Sequence, residues 1–220
     1  MSEHYFTQEP VSRAEHRRIG VVLGGQEAEV VTAGGVFSPE HVDTGTRVLL
    51  DTVPEPVPGD LLDLGCGWGP IALDAGLRAR EAGTPVTVWA LDVNARALEL
   101  TRTNARALGL EGPAGEPGGS PACVRAVTEE QVPAEVRFTQ IWSNPPIRVG
   151  KAVLHGMLRE WLPRLAPGGA AHLVVAKKLG ADSLLRWLDD EDGAGLGPEF
   201  TAARVGNSRG FRVIRVDRAG

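Results

Sequence analysis

A chain of 220 residues, 42% of them hydrophobic, is long enough to bury one sizeable core. Its formal net charge of −5 excludes a general attraction to polyanions, so any contact with nucleic acid has to come from a local basic patch. Two cysteines, Cys66 and Cys123, exclude a disulfide framework and show no CxxC or CxxH zinc spacing, so a reducing cytoplasm is expected and no metal is assigned. MSEHYFTQEP carries no apolar run, and no later stretch reaches the roughly 18 apolar residues of a membrane span, so neither secretion nor insertion is expected.

Residues 1–58 read as an N-terminal extension packing on a core that runs from 59 to 220. IGVVLGG (19–25) and AEVVTAGGVF (28–37) are β-branched runs separated by turn residues, which predicts an antiparallel hairpin. TGTRVLLDTV then has helical spacing, and PEPVPGD closes it as a linker. Beyond it strands alternate with helices. DLLDLG is a strand, PIALDAGLRAREAG a helix, PVTVWALD a strand, and NARALELTRTNARALGL a helix with an asparagine cap. EGPAGEPGGSP (111–121) is Gly/Pro-rich and predicts a mobile loop. ACVRAV and FTQIWSN are strands, KAVLHGMLREWLPRL a helix, PGG a turn, AAHLVVA a strand and ADSLLRWLDD a helix. FTAARV and GFRVIRVD close the chain as a hairpin, the one antiparallel place expected in an otherwise parallel α/β sheet.

LLDLGCGWGPIAL puts Gly65, Gly67 and Gly69 between a strand and a helix, where glycine lets the backbone pass close under a ligand. The GxGxG spacing differs from the GxGxxG of dinucleotide sites, and Asp63 would repel phosphate while suiting a cationic amino group, directly or through water. Asp92 ends the second core strand, where an acid accepts from ribose hydroxyls; as a bare position it also fits a helix cap. Asp63, the glycines and Asp92 at successive strand ends favour a sulfonium amino-acid nucleoside over NAD.

LDLGCGWG, ALDVN and NPP together resemble the class I S-adenosylmethionine-dependent methyltransferases across residues 60–217. That resemblance implies a Rossmann-like seven-stranded, mostly parallel sheet in the order 3-2-1-4-5-7-6, with helices on both faces. It also implies S-adenosyl-L-methionine as cofactor, with Gly65, Gly67 and Gly69 at its methionine part, Asp92 at ribose, Val93 also cofactor-binding, and Ala126 and Val127 flanking adenine. Where many relatives follow the third strand with an acid or amide, this chain has Thr128 and then Glu129.

SNPPIRVGK, from Ser143 to Lys151, then falls at the end of the fourth core strand, beside the methyl donor. An aromatic exocyclic amine is a poor nucleophile because its lone pair is delocalised. Two acceptors gripping its protons, the side-chain oxygen of Asn144 and the carbonyl of Pro145, would localise that pair and favour the charge that develops. Pro145 and Pro146 offer no N–H of their own. (S/N/D)PP is the signature of amino-group methyltransferases acting on adenine, cytosine, guanine or glutamine; as local chemistry alone, NPP is also an ordinary strand-ending turn.

NPPIRVGK with the upstream GVFSPEHVDTGTRVLL resembles the small-subunit ribosomal RNA guanine-N2 methyltransferases, which implies an RNA substrate and places Phe37 and Ser38 near the acceptor. Ile147 stands where many amino methyltransferases carry a base-stacking aromatic, leaving Phe37 or Trp68 for that part. Arg148, Lys151, Lys177 and Lys178 would form the basic patch for RNA phosphates, with solvated surface as the plain alternative. Cys66, His155 and His172 read as packing or surface residues, and Trp142 as a core residue facing away from Asn144. A small-molecule or protein-glutamine amino methyltransferase, and a non-catalytic cofactor- or RNA-binding scaffold, are the competing readings. Oligomeric state is left open.

Overall fold

The computed structural model describes residues 15–112 and 120–220; most of the Gly/Pro-rich stretch read as a mobile loop lies outside them. A hairpin of β1 (His16–Leu23) and β2 (Gln26–Ala33) leads into α1 (Thr44–Leu50). The core alternates β3 (Gly59–Leu64), α2 (Pro70–Glu81), β4 (Val86–Leu91), α3 (Ala95–Ala107), β5 (Ala122–Val127) and β6 (Phe138–Ser143). It continues with α4 (Lys151–Trp161), β7 (Leu165–Ala176), α5 (Ala181–Asp189), β8 (Phe200–Ser208) and β9 (Phe211–Arg218).

The seven core strands run in the order β5-β4-β3-β6-β7-β9-β8, which is 3-2-1-4-5-7-6 counted from β3, with β9 antiparallel to both neighbours. This is the class I methyltransferase arrangement read from the sequence. The chain steps outward from β3 to β5, then returns to lay β6 on the other side of β3, so the switch point of the sheet lies between β3 and β6. Both motif-bearing turns leave the sheet there.

Period-two alternation sorts the strands between two cores. Leu61, Val88, Val124, Trp142 and Val174 pack with α1, α2, α3 and the hairpin on one face. Leu62, Leu64, Ile141, Leu173 and Ile214 pack with α4 and α5 on the other. Val21, Leu23, Val30 and Ala33 of the hairpin belong to the first of these cores, so the hairpin shares the core's apolar interior. Polar ties fix it further: Gly24 N–H donates to Asp74 at 2.6 Å, and the buried Asn104 amide accepts from Val31 N–H at 2.7 Å while donating to the carbonyls of Val31 and Trp68 at 3.0 and 3.1 Å.

One element departs from its sequence reading. PGG was expected as a turn, yet β7 begins at Leu165, and its pairing with β6 slips between Phe138 and Gln140. A Cβ on Gly169 would stand 2.9 Å from the carbonyl oxygens of Ala166 and Phe138, so its glycine serves close strand approach at a bulge. No helix among the described residues is long and apolar enough to cross a membrane.

Candidate active site

The turn after β3 is held by backbone groups. The N–H groups of Gly65 and Cys66 both donate to Leu91 O at 2.9 Å, tying the turn to the end of β4. Gly65, Gly67 and Gly69 take φ values of +84, +58 and +96°, a region that costs other residues strain. A Cβ on Gly67 would meet nothing within 4 Å, so the turn's upper surface is open, and α2 starts at Pro70 with its amide ends behind it.

Asp92 follows β4 at the lip of this turn. Its Oδ2 accepts from Gly67 N–H and its Oδ1 from Asn94 N–H, each at 2.9 Å. Burial pushes its carboxyl up from the usual aspartate range, against those amides and the N–H of Val93. Asn94 caps α3, accepting from the N–H groups of Arg96 and Ala97, so the cap function belongs to Asn94 while Asp92 closes the glycine turn. Val93 is exposed beside it, and Ala126 and Val127 end β5 nearly buried.

Asp63, expected to hold an amino group directly or through water, has no open side for the direct contact. Its carboxyl is fully buried beneath the turn, with Oδ2 accepting from Ala72 N–H in the first turn of α2 at 3.0 Å and Oδ1 without a partner among the described residues. Burial, opposed by that amide and reinforced by the charge of Asp92, pushes it up to about 8. Cys66 is buried as well, its thiol raised by burial, which fits packing and no nucleophile.

Across the switch point, β6 delivers SNPP. Ser143 Oγ donates to Leu64 O at 2.6 Å, tying the two strand ends together. Pro146, at φ −74° and ψ 71°, is the centre of an inverse γ-turn in which Ile147 N–H donates to Pro145 O at 2.8 Å. The expected rim free of competing donors therefore has one: the Pro145 carbonyl keeps only its second lone pair for an incoming amine. Asn144 Nδ2 donates to Asp43 Oδ2 and Thr46 Oγ1, both at 3.1 Å. Asn144 thereby points to the α1 side, the same side as the fully buried Trp142; residues two apart on a strand share a face, so the expectation that Trp142 faces away is corrected.

Phe37, Ser38, Asp43, Thr46, Gly65, Gly67 and Asn144 line one crevice, bringing the N-terminal segment, the glycine turn and the proline turn together. Its volume is about 20 Å³, too small to enclose a nucleoside-sized group. Phe37 is 45% exposed at this mouth, whereas Trp68 is 1% exposed with its Nε1–H donated to Ser38 O at 3.1 Å, which removes Trp68 as a stacking surface. Pro146 and Ile147 are part-buried, and Ile147 packs against the core on the α4 side. A larger groove of about 1020 Å³ lies between the hairpin, α1 and α2, but its walls mix Arg47, Arg78 and Arg209 with Asp51, Asp74 and Glu29, without convergence on one point.

Lys151 begins α4, exposed, with Nζ 3.5 Å from Ser183 Oγ; the side chain of Arg148 lies outside the described residues. Lys177 and Lys178 are exposed just past β7, and Lys177 N–H donates to Gly210 O at 2.9 Å, which brings the exposed Arg209 of the β8–β9 turn beside them. Among the described residues none of these three cations forms an ion pair. His172 is a buried packing residue and His155 stacks on Trp187, with 3.6 Å between ring centroids. No group of three His, Cys, Asp or Glu side chains among the described residues suits a metal. Asp43, Thr46 and Arg209 were assigned no role in the sequence reading; an Asp just before TGTRVLLDTV is the signal of a helix cap, which says nothing of what the cap touches.

The open glycine turn with its amides fits close passage of a ligand, and the acid at the end of β4 fits a ribose. Residues 27–192 match the methyltransferase small domain. The chain is 32% identical over 191 residues to the uncharacterized protein YbxB of Bacillus subtilis, covering 86% of this chain and 89% of that protein. It is also 32% identical over 215 residues to ribosomal RNA small subunit methyltransferase C of Pseudomonas aeruginosa, covering 96% of this chain but 57% of the relative, so it spans about half the length of that enzyme. In fold it matches the T. thermophilus 16S rRNA N2 methyltransferase solved with AdoMet and guanosine, at TM-score 0.71 and 23% identity over 95% of this chain and 52% of that one. The chain belongs to the methyltransferase small domain family, whose methyl donor is S-adenosylmethionine.

Proposed function

We propose that this methyltransferase transfers a methyl group to the exocyclic N2 amine of a guanine in small-subunit ribosomal RNA. The observation that carries the amine assignment is the orientation of Asn144. Asp43 Oδ2 is a carboxylate oxygen that only accepts, so the amide nitrogen faces it and Asn144 Oδ1 is left toward the crevice as a bare acceptor. The guanine and RNA assignments are supported by the similarity to the ribosomal RNA methyltransferases and by the pairing of GVFS with NPPIRVGK.

In this reading Gly65, Gly67 and Gly69 pass under the cofactor's methionine part and Asp92 accepts from its ribose, exchanging its bond to Gly67 for ligand hydroxyls. Val93, Ala126 and Val127 flank the adenine. Asp63 acts from below, holding the first turn of α2 through Ala72. Bound S-adenosylmethionine would supply a methyl group from its sulfonium centre, the S–C bond breaking with its electron pair left on sulfur as a neutral thioether. Asn144 Oδ1 accepts one amine hydrogen and the second lone pair of Pro145 O the other, which keeps the nitrogen pair out of the ring and stabilises the nitrogen cation as the N–C bond forms. A proton then leaves that nitrogen to water, so no strong base is required. Phe37 stacks on the base in place of an aromatic at Ile147, and Pro146 and Ile147 adjoin the acceptor.

Lys151, Arg148, Lys177 and Lys178, with Arg209 added by the fold, hold RNA phosphates along the edge where the strands end. A cytoplasmic protein is the setting in which both cysteines stay reduced and ribosomal RNA is at hand.

The test is methyl transfer from labelled S-adenosylmethionine into unmodified small-subunit ribosomal RNA, mixed nucleosides and protein lysate, read by nucleoside mass spectrometry. The expected product is N2-methylguanosine in RNA. Label in protein or small molecules alone would overturn the substrate while leaving the reaction class.

A further inference from the structure

Asn144 is braced by residues about a hundred positions away, and that brace does more than fill space. We propose that Asp43 is a positioning residue for methyl transfer: through Asn144 Nδ2 it fixes which way the amide faces and lends its negative charge to the oxygen that meets the amine. The inference rests on Asn144 being the amine's acceptor.

An asparagine amide exchanges its oxygen and nitrogen by a half-turn of one bond, yet only the oxygen can accept from an amine. Asp43 removes that freedom, because its Oδ2, 3.1 Å from Asn144 Nδ2, has no hydrogen to offer an oxygen placed there. Thr46 Oγ1, also at 3.1 Å, takes up the nitrogen's remaining hydrogen-bonding capacity. The brace is itself fixed. Asp43 caps α1, with the same Oδ2 accepting from Gly45 N–H at 2.7 Å and its carbonyl accepting from Arg47 N–H at 2.9 Å. Thr46 is 3% exposed, and a Cβ on Gly45 would stand 2.9 Å from both Asp43 Oδ2 and the Phe211 ring, so that turn has no room to shift. All of Asn144's donor capacity is spent behind it, and Oδ1 keeps both lone pairs in front.

The electrostatic part follows from the same bond. A carboxylate accepting from an amide N–H draws that amide's polarity toward its own charge, which makes the carbonyl oxygen at the far end a better acceptor. As the amine takes on a methyl group it becomes cationic, and the field it meets is that of an aspartate relayed through a neutral amide. A carboxylate in the front position would attract more strongly but would compete for the amine's proton; the relay keeps the charge and removes the base.

Asp43→Asn is the informative substitution, because asparagine is an equally good helix cap and the fold should survive. Its kcat on unmodified small-subunit ribosomal RNA should fall about 10–100-fold, with the KM for S-adenosylmethionine unchanged. Asn144→Asp alone sets two carboxyls against each other, so its pH–rate profile should move to higher pH. Combining it with Asp43→Asn, which transposes the charge, should bring the profile back and raise kcat about tenfold over that single variant. A merely structural cap would give no such rescue. Wild-type kcat in Asp43→Asn, with Asn144→Ala inactive, would overturn the relay while leaving the acceptor reading; sustained turnover in Asn144→Ala would overturn the acceptor reading itself. Independently of any RNA substrate, the Asn144 side-chain amide should appear in ¹⁵N–¹H spectra as a slowly exchanging pair that moves in Asp43→Asn, and exchange at the rate of a solvent-exposed asparagine would overturn the brace.

Discussion

The glycine turn after β3 and the proline turn after β6 nearly touch, since a Cβ on Gly65 would stand 3.9 Å from Pro146 Cδ, yet their parts are drawn from very different distances along the chain. On the cofactor side nearly everything lies within about thirty residues: the glycine amides, Asp63 beneath, Asp92 at the next strand end, and Asn94 capping the helix that follows. The acceptor side is assembled across the fold, with Asp43 and Thr46 meeting Asn144 over separations of 101 and 98 residues. The first site is a property of consecutive βα units; the second exists only when the N-terminal segment is docked.

This contrast makes the two sides separable by substitution. Asn144→Ala should give the largest effect, lowering kcat by about 10²–10³, the usual cost of losing one preorganised polar group, while calorimetry finds S-adenosylmethionine affinity unchanged. Asp92→Ala should do the reverse, weakening cofactor binding about 10–100-fold through the loss of charged hydrogen bonds. If both variants lose both properties together, the two halves are one cooperative site.

Asn104→Ala should destabilise the protein by about 1–3 kcal/mol in chemical denaturation, because it strands the N–H and C=O of Val31 and the carbonyl of Trp68. Its activity loss should fall on both RNA methylation and cofactor affinity, since it loosens the hairpin that leads to Phe37 and, through Trp68, the glycine turn.

Asp63 gives a slope in pH. Burial raises its folded-state carboxyl to about 8 from 3.8, so the folded chain retains a proton that the unfolded chain releases above about pH 4. That stabilising contribution is complete below pH 4 and is lost progressively as pH rises toward 8. Denaturation midpoints of Asp63→Asn should lack this decline. Lys177→Glu with Lys178→Glu should give the smallest change, a KM for RNA several-fold higher with a shallower salt dependence and no effect on cofactor affinity.

The same difference in distance governs how much of the molecule was legible in the sequence. The strand–helix alternation, the glycine turn and the cap at Asn94 follow from local spacing and period, the strand order followed from the family resemblance, and the structure has these as read. NPP was legible as an acceptor turn, but the bond from Ile147 N–H to Pro145 O was not, because it depends on the ψ that Pro146 adopts rather than on residue type. Trp68 looked available because it sits in the ligand turn; only tertiary contact with Ser38 O shows it turned inward. Asp43 was assigned no role, and its partnership with Asn144 crosses a separation that no local pattern spans. The PGG of β7 was misread because turn residues also serve bulges, and register decides between them.

Asn104 carries one more consequence. Its amide pairs with Val31 as a neighbouring strand would, accepting from the N–H and donating to the carbonyl of the same residue. β2 is one strand of a ribbon of only two, and the outward-facing peptide groups of such a ribbon are where a second molecule can add itself as a strand. By matching that peptide group from within α3, a single helical side chain closes this position of the β2 edge to a further strand, so the bond that docks the hairpin also caps part of its edge.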